Sequence, residues 1–384
     1  MTNPSRIVAV EWARLEGRRP RHAGSNARLG AHGNIVRVPI VRLTTADGSS
    51  GFGVYHGSAE RLGDPLGSSF DDLFSDAGTV PERWRPFEYA IWDLAGVRAS
   101  TPVYALAAEF AGRAVKKPFR APVYDTSLYF DDLHLDSEQA AAKLLADEAR
   151  DGYERGHRAF KIKVGRGARH MPLEEGTRRD IAIVRAVRAA VGPMAPIMLD
   201  ANNGYNLNVT KRVLAETADC GILWMEEAFH EDDVLYRDLR EWLAKEHVHT
   251  LIADGEGQAD PRLIEWARAG LIDVIQYDIF GYGFTRWLAL GRELDGAGVR
   301  SAPNHYGGLY GNYAAGHLAA AIQGFSYVEW DEATTDRLDT SGYAIQDGWV
   351  VLPATPGFGL KLDEAVFGRA VVREGIRRTA NRRE

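Results

Sequence analysis

The stretch 197–256, IMLDANNGYNLNVTKRVLAETADCGILWMEEAFHEDDVLYRDLREWLAKEHVHTLIADGE, decides how this chain folds. It holds three short apolar runs, Ile197–Leu199, Leu223–Met225 and Thr250–Ala253. Each run ends in carboxylates: Asp200, then Glu226-Glu227, then Asp254-Gly255-Glu256. A brief apolar run followed by a polar loop and a helical stretch is the repeating unit of a parallel sheet.

The same rhythm extends in both directions. Upstream lie Val123–Tyr124 and Phe160–Val164; downstream lie Val274–Tyr277, Val299–Ala302 and Tyr327–Val328. Helical stretches such as Ser137–Ala149, Arg179–Ala190 and Pro261–Arg268 separate them. Eight strands alternating with helices over roughly 230 residues predict a (β/α)₈ barrel. The repeat is one of structure and not of sequence.

The region before the barrel reads differently. Ile35–Leu43 and Gly51–Tyr55 are strand-like and flank the turn signal Ala46-Asp47-Gly48. Phe87, Ala90, Ile91, Leu94 and Ala95 then fall at helical spacing. The predicted division is an α+β capping domain over 1–118, a barrel over 119–352, and a segment 353–384 that packs back on the capping domain. The polar, glycine-bearing stretch Arg18–Gly33 reads as a mobile loop.

Composition bounds the function. With 384 residues, two domains are expected. The chain is 45% hydrophobic and 26% charged, ordinary for a globular protein. A net charge of −7 without a basic run argues against nucleic acid as a partner. Any acidic substrate must then be held by local cations. No apolar run approaches the ~20 residues of a membrane span. The single cysteine, Cys220, rules out an internal disulfide and suits a reducing cytoplasm; it reads as a buried thiol.

In such a barrel the active site lies at the C-terminal ends of the strands. Asp200, Glu226, Glu256, Asp278, His305 and Glu329 recur at intervals of 22 to 30 residues, about one strand–helix unit each, and so share one ring. Asp200, Glu226 and Glu256 would repel one another unless a cation lay between them. Hard oxygen ligands suit Mg²⁺. Lys161 and Lys163, two apart on a strand, share a face. Each should depress the other's pKa and favour a neutral amine able to act as a base. Asp278 and His305 form a prospective acid–base pair, with the carboxylate orienting the imidazole. Glu329 is expected to be a protonated acid that hydrogen-bonds the substrate carboxylate.

These residues resemble the enolase superfamily, mandelate racemase subgroup, over nearly the whole chain. Phe160-Lys161-Ile162-Lys163 is similar to its K-x-K strand, and Leu199-Asp200-Ala201-Asn202 to its D-x-N motif. Trp224-Met225-Glu226-Glu227, Gly255-Glu256, Gln276-Tyr277-Asp278 and Val328-Glu329 resemble its later strand ends. Ile91-Trp92-Asp93-Leu94-Ala95-Gly96 resembles the helix closing its capping domain. The resemblance implies the (β/α)₇β variant of the barrel, Lys163 as the usual base, and Mg²⁺ on Asp200, Glu226 and Glu256. Asn202, Glu227 and Asn304 are expected to support the substrate or the ligands. There are departures. Ala228 replaces a proline, His305 follows Asn304 where many relatives read Pro-His-Asn, and Asp254 rivals Glu256 as third ligand.

The implied chemistry is Mg²⁺-assisted removal of a proton next to a carboxylate through an enediolate. Dehydration of a sugar acid is favoured, because Asn202, Asn203, Tyr205 and Asn304 supply polar contacts; racemisation or epimerisation of a 2-hydroxy acid is the alternative. A barrel glycosidase would leave both lysines and the third carboxylate idle. A non-catalytic metal-containing protein would have no need of Lys163. The expected partner is a small-molecule carboxylate, and a homo-oligomer is the expected assembly.

Overall fold

The computed structural model describes residues 3–305, 309–335 and 337–380. A long strand β1 (Ile7–Ala23) pairs antiparallel with β2 (Gly33–Thr45), and β2 with β3 (Ser50–Val54). The C-terminal strand Ile376–Thr379 adds to the free edge of β1, so the chain's two ends share one sheet. The helix Glu88–Arg98 lies across β3 so closely that only glycine fits beneath it. A Cβ on Gly51 would sit 2.3 Å from Leu94 N, and one on Gly53 2.5 Å from Tyr89 Cβ. From this helix, buried Asp93 accepts hydrogen bonds from Phe52 N (2.9 Å) and Phe358 N (2.8 Å), tying the tail to the capping sheet.

The second sheet is parallel. Its strands are β4 (Phe119–Leu128), β5 (Phe160–Lys163), β6 (Ile197–Asp200), β7 (Ile222–Glu226), β8 (Leu251–Asp254), β9 (Val274–Ile275), β10 (Arg300–Ser301) and β11 (Val328–Trp330). They pair in chain order from β4 to β10, and β11 returns to β4. Between β10 and β11 the link is the parallel bridge Ser301↔Phe325, with Ser326 N donating to Ser301 O at 2.8 Å. The ring of eight closes, and each expected strand overlaps one of these.

Period two along each strand sets what faces inward. Tyr124, Ala159, Met198, Trp224, Ala253, Val274 and Ala302 form an apolar plug inside the ring. Ile162, Ile197, Leu199 and Met225 point outward and pack under the helices. Burial of each such side chain is worth about 1.5–3 kcal/mol. Two residues beyond the plug, at the open end, the same inward face carries Lys161, Asp200 and Glu226. Register places Lys163 opposite Asp200, and Asp200 opposite Glu226. The helices start where capping residues allow; Ser137 caps Glu138–Glu154 by accepting from Ala140 N.

One expectation is corrected. Arg18–Gly33 is not a loop throughout: residues 18–23 are the end of β1. Arg19 holds this end on Asp331 by two bonds of 3.0 and 2.7 Å. Arg21 reaches Ser127 O (2.7 Å) and Glu148 (3.2 Å). Sequence polarity alone missed charged side chains that are engaged across the barrel rim. Among the described residues no helix is long and apolar enough to cross a membrane.

Candidate active site

Lys161 lies fully buried among four carboxylates. Its Nζ is 2.6 Å from Glu226, 3.4 Å from Asp200, 3.4 Å from Glu329 and 3.7 Å from Glu256. Lys163 pairs with Asp200. The faces of Tyr124 and Tyr129 cover the two ammonium groups, at 5.2 and 5.6 Å from ring centre. Burial opposes charge on both lysines, but Glu226 and Glu329 hold Lys161 well above the ordinary range, and Asp200 does the same for Lys163. The expected mutual depression is therefore overturned for this arrangement of charges. Lys161 does lower the affinity of Lys163 for a proton, but Asp200 outweighs that effect.

Asp200, Glu226 and Glu256 each offer an oxygen, all within 4.8 Å of one another. Asp200 and Glu226 are fully buried. Burial, and then the charge of Asp200, pushes Glu226 well above the carboxylate range. Burial also lifts Glu256, to about 8. With Glu329, four carboxyl groups thus face two lysines, and burial makes it costly to ionise all of them without a further cation. An all-oxygen donor set with uncompensated charge fits a hard divalent cation. Asp254 does not join this cluster. It accepts from Tyr236 OH (2.6 Å) and Gly255 N (2.7 Å) on the other side of its strand. Trp224 Nε1 donates to Glu226 at 2.9 Å and fixes that carboxylate.

Glu227 turns away from Glu226 into a network of its own. Asn202 Nδ2 donates to it at 2.9 Å and Asn203 Nδ2 at 3.3 Å. Asn202, Asn203 and Glu227 all have positive φ, of 43°, 61° and 42°. Such backbone is strained by roughly 1–3 kcal/mol per residue and gathers at functional sites. Asn203 N to Glu227 O, 2.7 Å, helps lock it. Asn304 Nδ2 bridges Glu256 and Glu329.

The Asp278–His305 pair is not hydrogen-bonded among the described residues. The Asp278 carboxylate caps the short helix Ile279–Tyr282 through Gly281 N, because the chain turns directly into a helix after β9. His305 Nε2 instead meets Glu329 O at 2.8 Å. A carbonyl only accepts, so Nε2 carries the hydrogen and Nδ1 is the nitrogen open to proton exchange. Gly311 packs against this ring, where a Cβ would fall 2.3 Å from His305 Cγ.

Glu329 also departs from expectation. It accepts from Thr126 Oγ1 (2.7 Å), Asn304 Nδ2 (3.1 Å) and His305 N (3.0 Å). Burial disfavours its charge, but Lys161, His305 and Lys163 outweigh burial and hold it below the usual range. It is a carboxylate here, not a protonated acid.

Two cavities open over this ring on either side of Asp278. One, of about 280 Å³, is bounded by Asn202, Glu227, Glu256 and Asn304, and by Asn26 and Arg28 of the capping domain. Arg28 approaches Glu227 at 3.9 Å. The other, of about 340 Å³, is bounded by His305, Arg37, His56 and Phe280. Thr126, Tyr124 and Trp224 were missed from sequence, although the inward alternation of β4 and β7 marks them. Arg28 lies in the stretch Arg18–Gly33 read as a loop, but neither it nor Arg37 was marked individually, since their part depends on how the capping sheet docks.

Carboxylates on consecutive strand ends facing a lysine pair define a parallel-barrel site built for acid–base work beside a cation. The chain belongs to the enolase superfamily: the family model described as enolase C-terminal domain-like matches residues 144–366. It is similar to a galacturonate dehydratase from Geobacillus sp., solved with D-galacturonate and 5-keto-4-deoxy-D-galacturonate, at 49% identity and TM-score 0.93 over 98% of this chain and 99% of that one. A mandelate racemase/muconate lactonizing protein from Geobacillus sp. Y412MC10, complexed with magnesium and tartrate, gives 49% identity and TM-score 0.95 over 98% of each chain. The arabinonate dehydratase of Saccharolobus solfataricus is 27% identical over 72% of this chain and 69% of its own length.

Proposed function

We propose that this enzyme dehydrates a six-carbon uronate, D-galacturonate, to the 5-keto-4-deoxy acid. The observation that carries the reading is the Asp200–Glu226–Glu256 cluster beside Lys163 and His305, in a chain that matches the Geobacillus dehydratase over nearly its whole length. Asp200, Glu226 and Glu256 would hold Mg²⁺, which when bound stabilises negative charge developing on the substrate carboxylate.

The chain's own groups do the rest. Lys163, paired with Asp200 here, would lose that partner if Asp200 served as a ligand and could then act as base on C5–H. His305, charged, gives a proton from Nδ1 to the C4 hydroxyl, which leaves as water. The C5 enol then takes a proton at C4 and becomes the ketone, so the net change is loss of one water. Lys161 balances charge at the carboxylate end, and Glu329, through its own carbonyl, orients His305. Racemisation would need His305 as a second base, commonly supported by a carboxylate; Asp278 is engaged as a helix cap, which favours the acid role.

The experiment is incubation with D-galacturonate and Mg²⁺, read by NMR for the 4-deoxy product, alongside deuterium exchange at C5 in D₂O. Lys163→Ala should abolish exchange and turnover. His305→Asn should retain exchange and lose water elimination. Exchange with inversion at C5 and no deoxy product would replace dehydration by epimerisation.

A further inference from the structure

Behind Lys163 lies a group of four buried charges that the proposed chemistry does not use: Arg166, Arg179, Asp132 and Asp180. Arg166 is at its centre. Its Nε and Nη2 donate to Asp132 at 3.0 and 2.6 Å, and its Nη1 to Asp180 at 2.8 Å. Arg179 Nη1 stands 3.5 Å from Asp132, so two guanidinium groups face two carboxylates. Asp132 follows β4, and Asp180 lies on the helix Leu173–Val191.

Charges buried in this way add little net stability, because their lost hydration offsets their attraction. What they fix is geometry, and here it converges on one peptide unit. Arg166 Nη1 also donates to Lys163 O at 3.1 Å. On the other side of the same peptide, Val164 N donates to Asp200 O at 2.8 Å. The plane that carries Lys163 is thus held from both ends, by the guanidinium and by the strand that bears Asp200. The chain then turns at Gly165, whose φ of 100° suits glycine. Asp180 accepts from Gly165 N (2.8 Å) and Arg166 N (3.3 Å), which secures that turn.

The same guanidinium holds what covers the amine. It lies 4.2 Å from the ring centre of Phe130, and Asp132 anchors it two residues further on. Tyr129, next to Phe130, is the residue whose ring covers Lys163 Nζ. Tyr205, expected to bond the sugar, donates instead to Asp180 at 2.8 Å and ties the turn after β6 to this group.

A base must meet its proton at about 3–3.5 Å and in line, and a misplacement of about 1 Å can cost about a hundredfold in rate. We propose that Arg166 is a positioning residue for Lys163: through the 163–164 peptide and the Tyr129 wall it sets where the amine stands, without touching substrate. This rests on the reading of Lys163 as the base of the dehydration. Lysine at position 166 would keep the charge but lacks the fork that spans Lys163 O and both carboxylates.

The test makes two measurements on Mg²⁺-loaded wild type, Arg166→Lys and Tyr205→Phe. The first is turnover of D-galacturonate, divided by the number of Mg²⁺ sites counted by titration calorimetry, so that unfolded protein does not enter. Arg166→Lys should lose about ten- to a hundredfold in kcat per site with KM within about threefold of wild type. Tyr205→Phe, which removes one hydrogen bond, should lose about three- to tenfold. The second is amide hydrogen exchange. In Arg166→Lys the Val164 N–H should exchange about tenfold faster or more, while the Ile252 N–H of β8 keeps its wild-type rate. Should Arg166→Lys yield no Mg²⁺ sites, Tyr205→Phe carries both measurements. Unchanged kcat per site, or a raised KM with kcat unchanged, overturns the proposal. So does exchange that quickens equally at Val164 and Ile252, which is the mark of a purely structural role. If wild type does not turn over D-galacturonate, the proposed dehydration has failed, and the exchange rates alone still decide whether Arg166 holds the peptide of Lys163.

Discussion

Lys161→Met removes the one cation shared by three buried carboxylates, Asp200, Glu226 and Glu329, and the partly exposed Glu256. Asp200, Glu226, Glu256 and Glu329 all lie within 3.7 Å of its Nζ. Wild type sets Lys161 and Lys163 against the ionised Asp200 and Glu329 and the raised carboxyls Glu226 and Glu256; the variant keeps only Lys163, already committed to Asp200. Removing one partner from a buried ion pair costs about 3–5 kcal/mol, because the remaining charge stays out of water. For a chain of 384 residues that corresponds to a loss of about 4–6 °C in Tm. The loss should be largest in EDTA. Mg²⁺ at a hundred times its Kd returns about 2.7 kcal/mol; carboxylates that have lost Lys161 should bind the cation more tightly, so at one Mg²⁺ concentration the metal should raise the Tm of the variant more than that of wild type. The assay is thermal unfolding by circular dichroism, with and without Mg²⁺, for both proteins. A metal-free variant melting within about 1 °C of wild type would refute the electrostatic account. So would a smaller response to Mg²⁺ in the variant.

Asp200→Asn, Glu226→Gln and Glu256→Gln should each abolish Mg²⁺ binding by titration calorimetry, and Asp254→Asn should retain it, since Asp254 is bonded to Tyr236; the reverse outcome for Glu256 and Asp254 would make Asp254 the ligand. Burial holds Glu256 and Glu227 up at about 8. A raised carboxylate keeps in the folded state a proton that the unfolded chain releases above about 4.3, so metal-free stability should fall as pH rises from about 4.5 and level off above about 8. Tm in EDTA should therefore be lower at pH 8.5 than at pH 6; the opposite slope would contradict this. Arg19→Ala breaks a largely buried pair with Asp331, 10% and 6% exposed, that seats the end of β1. It should speed proteolysis within residues 24–32 and raise KM about tenfold or more, and unchanged cleavage would show that the segment is held by other contacts.

Local sequence determined the strand count and the ring of strand-end groups, because both follow from period-two alternation and from the length of one strand–helix unit. Lys161, Lys163, Asp200 and Glu226 were legible in that way: each lies an even number of residues along its strand from an apolar residue of the plug. The protonation states were not legible. Lys161 and Glu226 are 65 residues apart in sequence, and Thr126 and Glu329 are 203 apart. Charge on a buried group depends on distance and solvent exclusion between such partners, and no local pattern encodes either. Only the closed ring decided that Glu256 joins the carboxylate cluster while Asp254 faces Tyr236, that Asp278 caps a helix, and that Glu329 stays ionised. The docking of the capping sheet in turn decided that Arg28 and Arg37 face the site, since a side chain on one domain acquires a role there only when the other domain's surface is brought against it.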